Sequence, residues 1–159
     1  MAADNLQKPV SEQLLLDALK VFEERIPFNR MLGLHIERTM AGEAAIRFDM
    51  REELVGNFTR GNLHGGVISS SLDVVGGLVA FLALLEREQP ESLADGAARF
   101  SRLGTIDLRV DYLRPGLGES FVATGYVLRT GRKVAVTRME LHNDEATLIA
   151  VGTGAYSIG

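Results

Sequence analysis

Residues 61–81 read GNLHGGVISSSLDVVGGLVAF. From Val67 onward, Ile68, Leu72, Val75, Val79 and Leu82 recur at the spacing of one helical stripe, and small or apolar residues occupy most of the other faces. The pattern predicts a helix from about Val67 to Glu86 that other elements must cover. It is expected to be a core helix and no membrane span, because Ser69, Ser70, Ser71, Asp73, Gly76 and Gly77 interrupt it and an ionised aspartate at a bilayer centre is costly. One residue conflicts with burial. Asp73 stands nine positions after His64, and a carboxylate sunk in an apolar helix needs hydrogen bonds, or water in a cleft, to offset its lost hydration.

Working outward from that helix, the upstream text gives a short amphipathic helix and two strands. Ser11 is placed to cap a helix carrying Leu14, Leu15, Ala18, Leu19 and Phe22 on one face, with Pro27 just beyond its end. Leu34 to Glu37 and Ala44 to Phe48 then alternate, split at Ala41-Gly42-Glu43, which reads as a hairpin. Downstream, Glu86 to Arg102 is charged and reads as a loop with local helix. Beyond it Ile106, Leu108, Val110 and Tyr112 alternate with Asp107, Arg109 and Asp111, and strands over 121–128, 134–141 and 147–158 follow, separated by glycine or Asn143-Asp144 turns. These last four strands are expected in meander order. The fold class is α+β: an antiparallel sheet of about six strands wrapped on one long helix, with a short N-terminal helix. Residues 1–159 are expected to form a single domain, with 1–26 as an N-terminal helical extension, and no repeat or linker divides them.

Composition narrows the chemistry. A formal net charge of −4 leaves little basic surface for phosphate backbones, so nucleic acid is not an expected partner. With no cysteine and with His35, His64 and His142 far apart, thiolate catalysis is excluded and a metal site is not expected. The opening MAADNLQKPVSEQ lacks the basic, apolar, small-residue order of a signal peptide, which points to the cytoplasm and away from membranes.

The chemistry is expected where the long helix begins. His64-Gly65-Gly66 places free backbone N–H groups and the positive helix end beside glycines that permit close approach, an arrangement suited to holding a carbonyl or oxyanion. Taken alone, two glycines before a helix are common punctuation, and His64 serves equally well as a hydrogen bonder that orients the loop. Asp73 has its own bland explanation, capping a neighbouring loop or pairing with an arginine such as Arg109. The spacing is sharper. Gly65 and Asp73 are eight residues apart, roughly 12 Å along a helix at 1.5 Å per residue, too far to serve one carbon within one chain. Two copies with antiparallel helices would bring the carboxylate of one to the helix start of the other and create two sites about a two-fold axis. Ser69, Ser70, Gly76, Gly77 and Ala80 would then let a ligand or the partner approach.

Five stretches carry a family resemblance: PFNRMLG at 27–33, VGNF at 55–58, LHGGVISSSLDVVGGLV at 63–79, GTIDLRVDYLRPG at 104–116 and KVAVTRMELHN at 133–143. Together they resemble the hotdog-fold acyl-CoA thioesterases of the PaaI-like branch, in particular its YigI-like bacterial members. The resemblance implies the hotdog fold, a homodimer with composite active sites, a homotetramer by family habit, and hydrolysis of an acyl-CoA thioester without a cofactor, coenzyme A being part of the substrate. It assigns the carbonyl grip to the Gly65 amide with His64 beside it, and the role of general base or nucleophile to Asp73 from the facing subunit. The family often has an asparagine six residues before the histidine to orient water or substrate; here Asn57 stands seven before and Asn62 two before, and the VGN context favours Asn57. Thr105, two residues before Asp107, matches a position whose hydroxyl hydrogen-bonds the catalytic carboxylate or water. Both also have plain readings, as a turn asparagine and a strand threonine. Arg114 before Pro115-Gly116, and Arg129, Arg132 and Lys133 in RTGRK, suit the phosphates of coenzyme A, or form an ordinary solvated turn. His142 is expected to take no part.

The YigI-like character leans toward medium to long acyl chains, with aromatic acyl groups left open. Three rivals stand beside hydrolysis: a hotdog hydratase or dehydratase, in which a histidine paired with an acid moves protons on the acyl chain; an acyl-CoA binding protein; and a structural dimer whose buried Asp73 sets helix register.

Overall fold

A computed structural model describes residues 12–40 and 42–159. The expected cap at Ser11 and the first residue of the expected turn, Ala41, lie outside the described residues.

The chain runs α1 (Glu12–Lys20), a π turn (Val21–Arg25), α2 (Pro27–Leu32), β1 (His35–Met40), β2 (Glu43–Asp49), a short 3-10 turn, β3 (Val55–Asn57), β4 (Asn62–Leu63), α3 (Gly65–Glu88), α4 (Leu93–Phe100), β5 (Gly104–Tyr112), β6 (Ser120–Thr130), β7 (Val134–Asn143) and β8 (Leu148–Ser157). Pro27 does end the first helical segment, and it also opens α2 at a position where its missing N–H costs nothing; Gly33, at φ 69°, closes that helix in the left-handed conformation.

The main sheet has six strands in the order β1-β2-β6-β7-β8-β5, with every pairing antiparallel. Its six strands and long helix match the expected architecture, but the last four strands are not a meander. β5 pairs with β8, while β6 returns across the sheet to pair with β2, Ala44 opposite Gly125. The connection between β5 and β6 allows this by crossing at the start of α3, where the Leu63 amide donates to the Gly116 carbonyl at 2.9 Å. Alternation of apolar residues reports which face a strand buries and carries no information about its neighbour.

α3 lies across the concave face of this sheet, and its stripe Ile68, Leu72, Val75, Val79 and Leu82 is buried. By length and hydropathy it would pass for a membrane span, yet two-thirds of its most apolar window, 67%, is buried within the protein. Its outer face is covered toward the C-terminal end by Phe22 of the π turn and Phe100 of α4, which pack on Phe81 with ring centroids 5.9 and 5.4 Å away. The stretch read as a loop with local helix holds α4 as that helix, and α3 itself reaches Glu88. Ser92 accepts a hydrogen bond from the Asp95 amide and donates to the Asp95 carboxylate, so its hydroxyl caps the start of α4.

β5 forms one edge of the sheet. Its alternation promised a buried face, yet Ile106 is 58% exposed and Tyr112 54%.

Candidate active site

The N-terminus of α3 is built from backbone. His64 is extended, at φ −65° and ψ 137°, and its Nδ1 accepts the Gly66 N–H at 2.8 Å, so the imidazole caps the helix. An imidazole accepting at Nδ1 carries its proton at Nε2, and its acceptor nitrogen is thereby occupied. The His64 amide donates to the Leu54 carbonyl at 2.8 Å, and β3 reaches this position because Gly56 has no side chain: a Cβ there would meet the His64 Cα at 2.6 Å. The Gly65 N–H donates to no acceptor among the described residues, while its carbonyl accepts the Tyr112 hydroxyl at 3.1 Å. One free amide thus points from the positive end of a long helix.

Asp73 lies two turns further along and is half-buried. Thr105 Oγ1 donates to its Oδ1 at 3.0 Å, and the Tyr156 hydroxyl reaches the same oxygen at 3.2 Å and the Asp73 carbonyl at 3.1 Å. Thr105 and Tyr156 are opposite one another in the β5–β8 register, so the two hydroxyls arrive together from one face of the sheet. The register slips by one residue between Thr105 and Asp107, a bulge of the kind found beside functional sites. Burial, and then the neighbouring Asp73 charge, raise the Tyr156 phenol well above its usual range, so it remains a donor. Arg109, the cation available to neutralise Asp73, pairs instead with Asp111 at 3.1 Å. Among the described residues Asp73 has no ion pair. Two neutral hydroxyls orient the carboxylate and leave its negative charge uncancelled.

The other expected site residues are placed as follows. Asn57 Oδ1 accepts from the Thr59 amide and hydroxyl at 3.0 and 2.6 Å, making the turn that precedes β4, and Asn62 Nδ2 donates to the Leu63 carbonyl. Gly65 and Asp73 are separated by eight residues of continuous helix, so one chain does not bring them together. Arg114 donates to the Leu148 carbonyl at the start of β8, whereas Arg129, Arg132 and Lys133 lie beside the end of that strand, where the Ile158 amide donates to the Lys133 carbonyl. The two groups sit at opposite ends of a strand roughly 30 Å long at about 3.3 Å per residue. Gly76 and Gly77, expected to face a ligand or partner, face Tyr156. His142 is near Glu140, on the side of β7 that alternates with its buried face.

Two site residues escaped the sequence reading, Tyr156 and Tyr112. A tyrosine in an alternating strand is ordinary, and nothing in its spacing marks the hydroxyl that it brings to Asp73.

Comparison with known proteins gives the family. Residues 60–150 match the model of the thioesterase superfamily. The chain is 48% identical over 149 residues to the Escherichia coli medium/long-chain acyl-CoA thioesterase YigI, covering 94% of this chain and 96% of that protein.

The chain belongs to the thioesterase superfamily.

Human acyl-coenzyme A thioesterase 13 is 31% identical over 150 residues, covering 92% of this chain and 96% of its own. Among solved structures, a Shewanella oneidensis protein related to the thioesterase superfamily superposes with a TM-score of 0.87 at 46% identity, covering 92% of this chain and 96% of that one. The match to the thioesterase superfamily takes in Gly65, Asp73 and Thr105 and stops before Tyr156.

Proposed function

We propose that this protein hydrolyses medium- to long-chain acyl-CoA to the free acid and coenzyme A, at sites shared by two protomers. The observation that carries the reading is Asp73: a carboxylate oriented by Thr105 and Tyr156 and paired with no cation keeps the electron pair a base or nucleophile needs. The name of the E. coli relative supports the substrate class.

The Gly65 N–H donates to the thioester carbonyl and stabilises the oxyanion that develops there. Asp73 of the facing protomer takes a proton from water while the water oxygen bonds to the carbonyl carbon. The tetrahedral adduct then expels the thiolate, whose low basicity removes the need for a strong acid. In the alternative route Asp73 attacks the carbon, the thiolate leaves, and water cleaves the resulting anhydride at the Asp73 carbonyl carbon; a single turnover in ¹⁸O-labelled water detects this route, because it leaves label in Asp73 and the direct route does not. His64, with Nδ1 committed to Gly66, is paired with no acid among the described residues, which disfavours hydratase chemistry. Asn57 and Asn62 are retained as flanking residues of the amide site, and no cofactor or metal enters the reaction.

Dimerisation is supported by β5, a nine-residue edge strand with exposed apolar side chains, a surface that proteins ordinarily pair or protect. Pairing α3 antiparallel with its copy also brings Arg114 of one protomer to the same end as the Arg129–Lys133 turn of the other. A tetramer built from two such dimers is part of the proposal, as is a cytoplasmic location, which a cysteine-free chain suits. A thiol-release assay across acyl-CoA chain lengths, with Asp73→Asn as control, tests the reading. Release from C8–C16 substrates that the variant abolishes is expected, and equal release by both proteins would overturn it.

A further inference from the structure

Two hydroxyls reach α3 from the same strand, one at each half of the site. Thr105, near the start of β5, donates to Asp73, and Tyr112, at its end, donates to the Gly65 carbonyl at 3.1 Å. The two residues are seven positions apart, so a regular strand would send their side chains to opposite faces. The register slip between Thr105 and Asp107 corrects this, because Thr105 stands opposite Tyr156 and Tyr112 opposite Ala150, an even number of residues apart on β8. Burial does not explain Tyr112, which is largely exposed. Its position is nevertheless fixed. The Leu113 and Arg114 amides both donate to the Ile149 carbonyl, at 2.9 and 3.0 Å, and the Gly116 carbonyl just beyond accepts from Leu63, so the strand end is pinned to β8 on one side and β4 on the other.

The Gly65 carbonyl belongs to the same peptide group as the Gly66 N–H, and that N–H donates to His64 Nδ1 at 2.8 Å. Three polar groups therefore stand in series: the Tyr112 hydroxyl, the Gly65–Gly66 peptide and the imidazole. Donation to a peptide oxygen draws electron density from its nitrogen and makes the N–H a stronger donor, as chains of hydrogen bonds polarise one another. A stronger Gly66 N–H holds Nδ1 as the acceptor and fixes the ring proton on Nε2. Glycine at 66 leaves room for this bond: a Cβ there would lie 2.9 Å from Nδ1 and push the ring away.

We propose that Tyr112 is a positioning residue that acts through the Gly65–Gly66 peptide to hold the His64 ring in place, with Nε2–H as its remaining donor. The inference rests on the thioesterase reading and adds to it the residue that sets the histidine. Nε2–H then stands with the Gly65 N–H as a donor available to the thioester while charge develops on it. A ring held by one bond at Nδ1 is free to turn or to exchange tautomers, and a strengthened bond keeps the donor ready before substrate arrives. A tyrosine that only tied β5 to α3 would need no peptide group in common with the partner of the histidine.

The test is Tyr112→Phe, which removes the hydroxyl and keeps the ring. Its Tm should stay close to that of the parent, while kcat for decanoyl-CoA falls about two- to tenfold with KM little changed, the net contribution of one hydrogen bond read as a rate. In nitrogen-15 and proton spectra of the labelled protein, the Gly66 amide proton should move upfield and His64 Nδ1 downfield as their bond weakens, with His35 and His142 as unmoved references. In a His64→Ala background the same substitution should cost nothing further in kcat, since the group it acts through is gone. An unchanged kcat in Tyr112→Phe, unmoved Gly66 and His64 resonances, or rate losses that multiply in the double variant would each overturn the inference while leaving thioester hydrolysis intact. Absence of thiol release from the wild-type protein would overturn the thioesterase reading, and the spectra would still decide whether Tyr112 sets the ring.

Discussion

Replacing Gly65 by proline would delete the amide hydrogen assigned to the substrate carbonyl and change little else. The residue occupies the first position of α3, its N–H has no acceptor among the described residues, and His64 before it already has the extended backbone that a following proline requires. A Cβ there meets Tyr112 at an ordinary 3.5 Å. Gly65→Pro should therefore retain its helical circular dichroism and Tm while kcat falls about 10²–10³-fold, the usual cost of one oxyanion donor. Asp73→Asn should lower kcat about 10²–10⁴-fold, the range of general-base catalysis, with acyl-CoA binding measured by calorimetry largely kept. Gly76→Ala tests the support beneath Asp73. A methyl group there would run into the Tyr156 hydroxyl and approach Met139 Sδ at 3.0 Å, displacing the phenol that donates to the carboxylate. A loss of about 1–3 kcal/mol in denaturant unfolding, with a drop in kcat, is expected from such overpacking. Asp73 could be read from sequence because a charge on an apolar helix demands an explanation. Tyr156 could not, since its significance comes from a cross-strand register that no local pattern encodes.

At the scale of elements, α3 ends in a cluster whose strength depends on pH. The hydrogen bond from Arg102, ahead of that from Arg87, holds the Glu88 carboxyl below the ordinary glutamate value despite the opposing effect of burial. A carboxylate depressed by folding contributes stability above its unfolded value, about 4.3, and loses that contribution as pH falls through the lower folded value. Glu88→Gln should thus be less stable than the parent at pH 7, and the gap between their unfolding curves should close in stronger acid. α4 shows how a cap marks a boundary: the stretch read as a loop with local helix holds that helix, and the Ser92 hydroxyl, three residues before Asp95, sets where it starts. The order of β5 to β8 is a different case. Their alternation was plain, and pairing depended on a connection that crosses the sheet at Gly116, a fact of three dimensions.

For the whole molecule, sequence periodicity was enough to give the α+β architecture, because one buried helix and six alternating segments leave few other ways to cover apolar surface. What periodicity could not supply was the far side of β5. Its exposed Ile106 and Tyr112 leave an apolar edge that the chain itself does not cover, which is where the proposed dimer would form. Light scattering should give a mass of two or four chains, and Ile106→Lys on that edge should shift the population toward monomer and lower activity with it.

The division of labour along α3 has a consequence for mixtures. Under the proposed mechanism each chain would carry a donor half at Gly65 and an acceptor half at Asp73, and would use neither with the other. Inactive Gly65→Pro and Asp73→Asn proteins, unfolded together in equal amounts and refolded, would form mixed pairs in which one crevice collects both lesions and the other collects none. With half the pairs mixed and one of two crevices intact in each, complementation should recover about a quarter of the parental rate from two preparations that are silent alone.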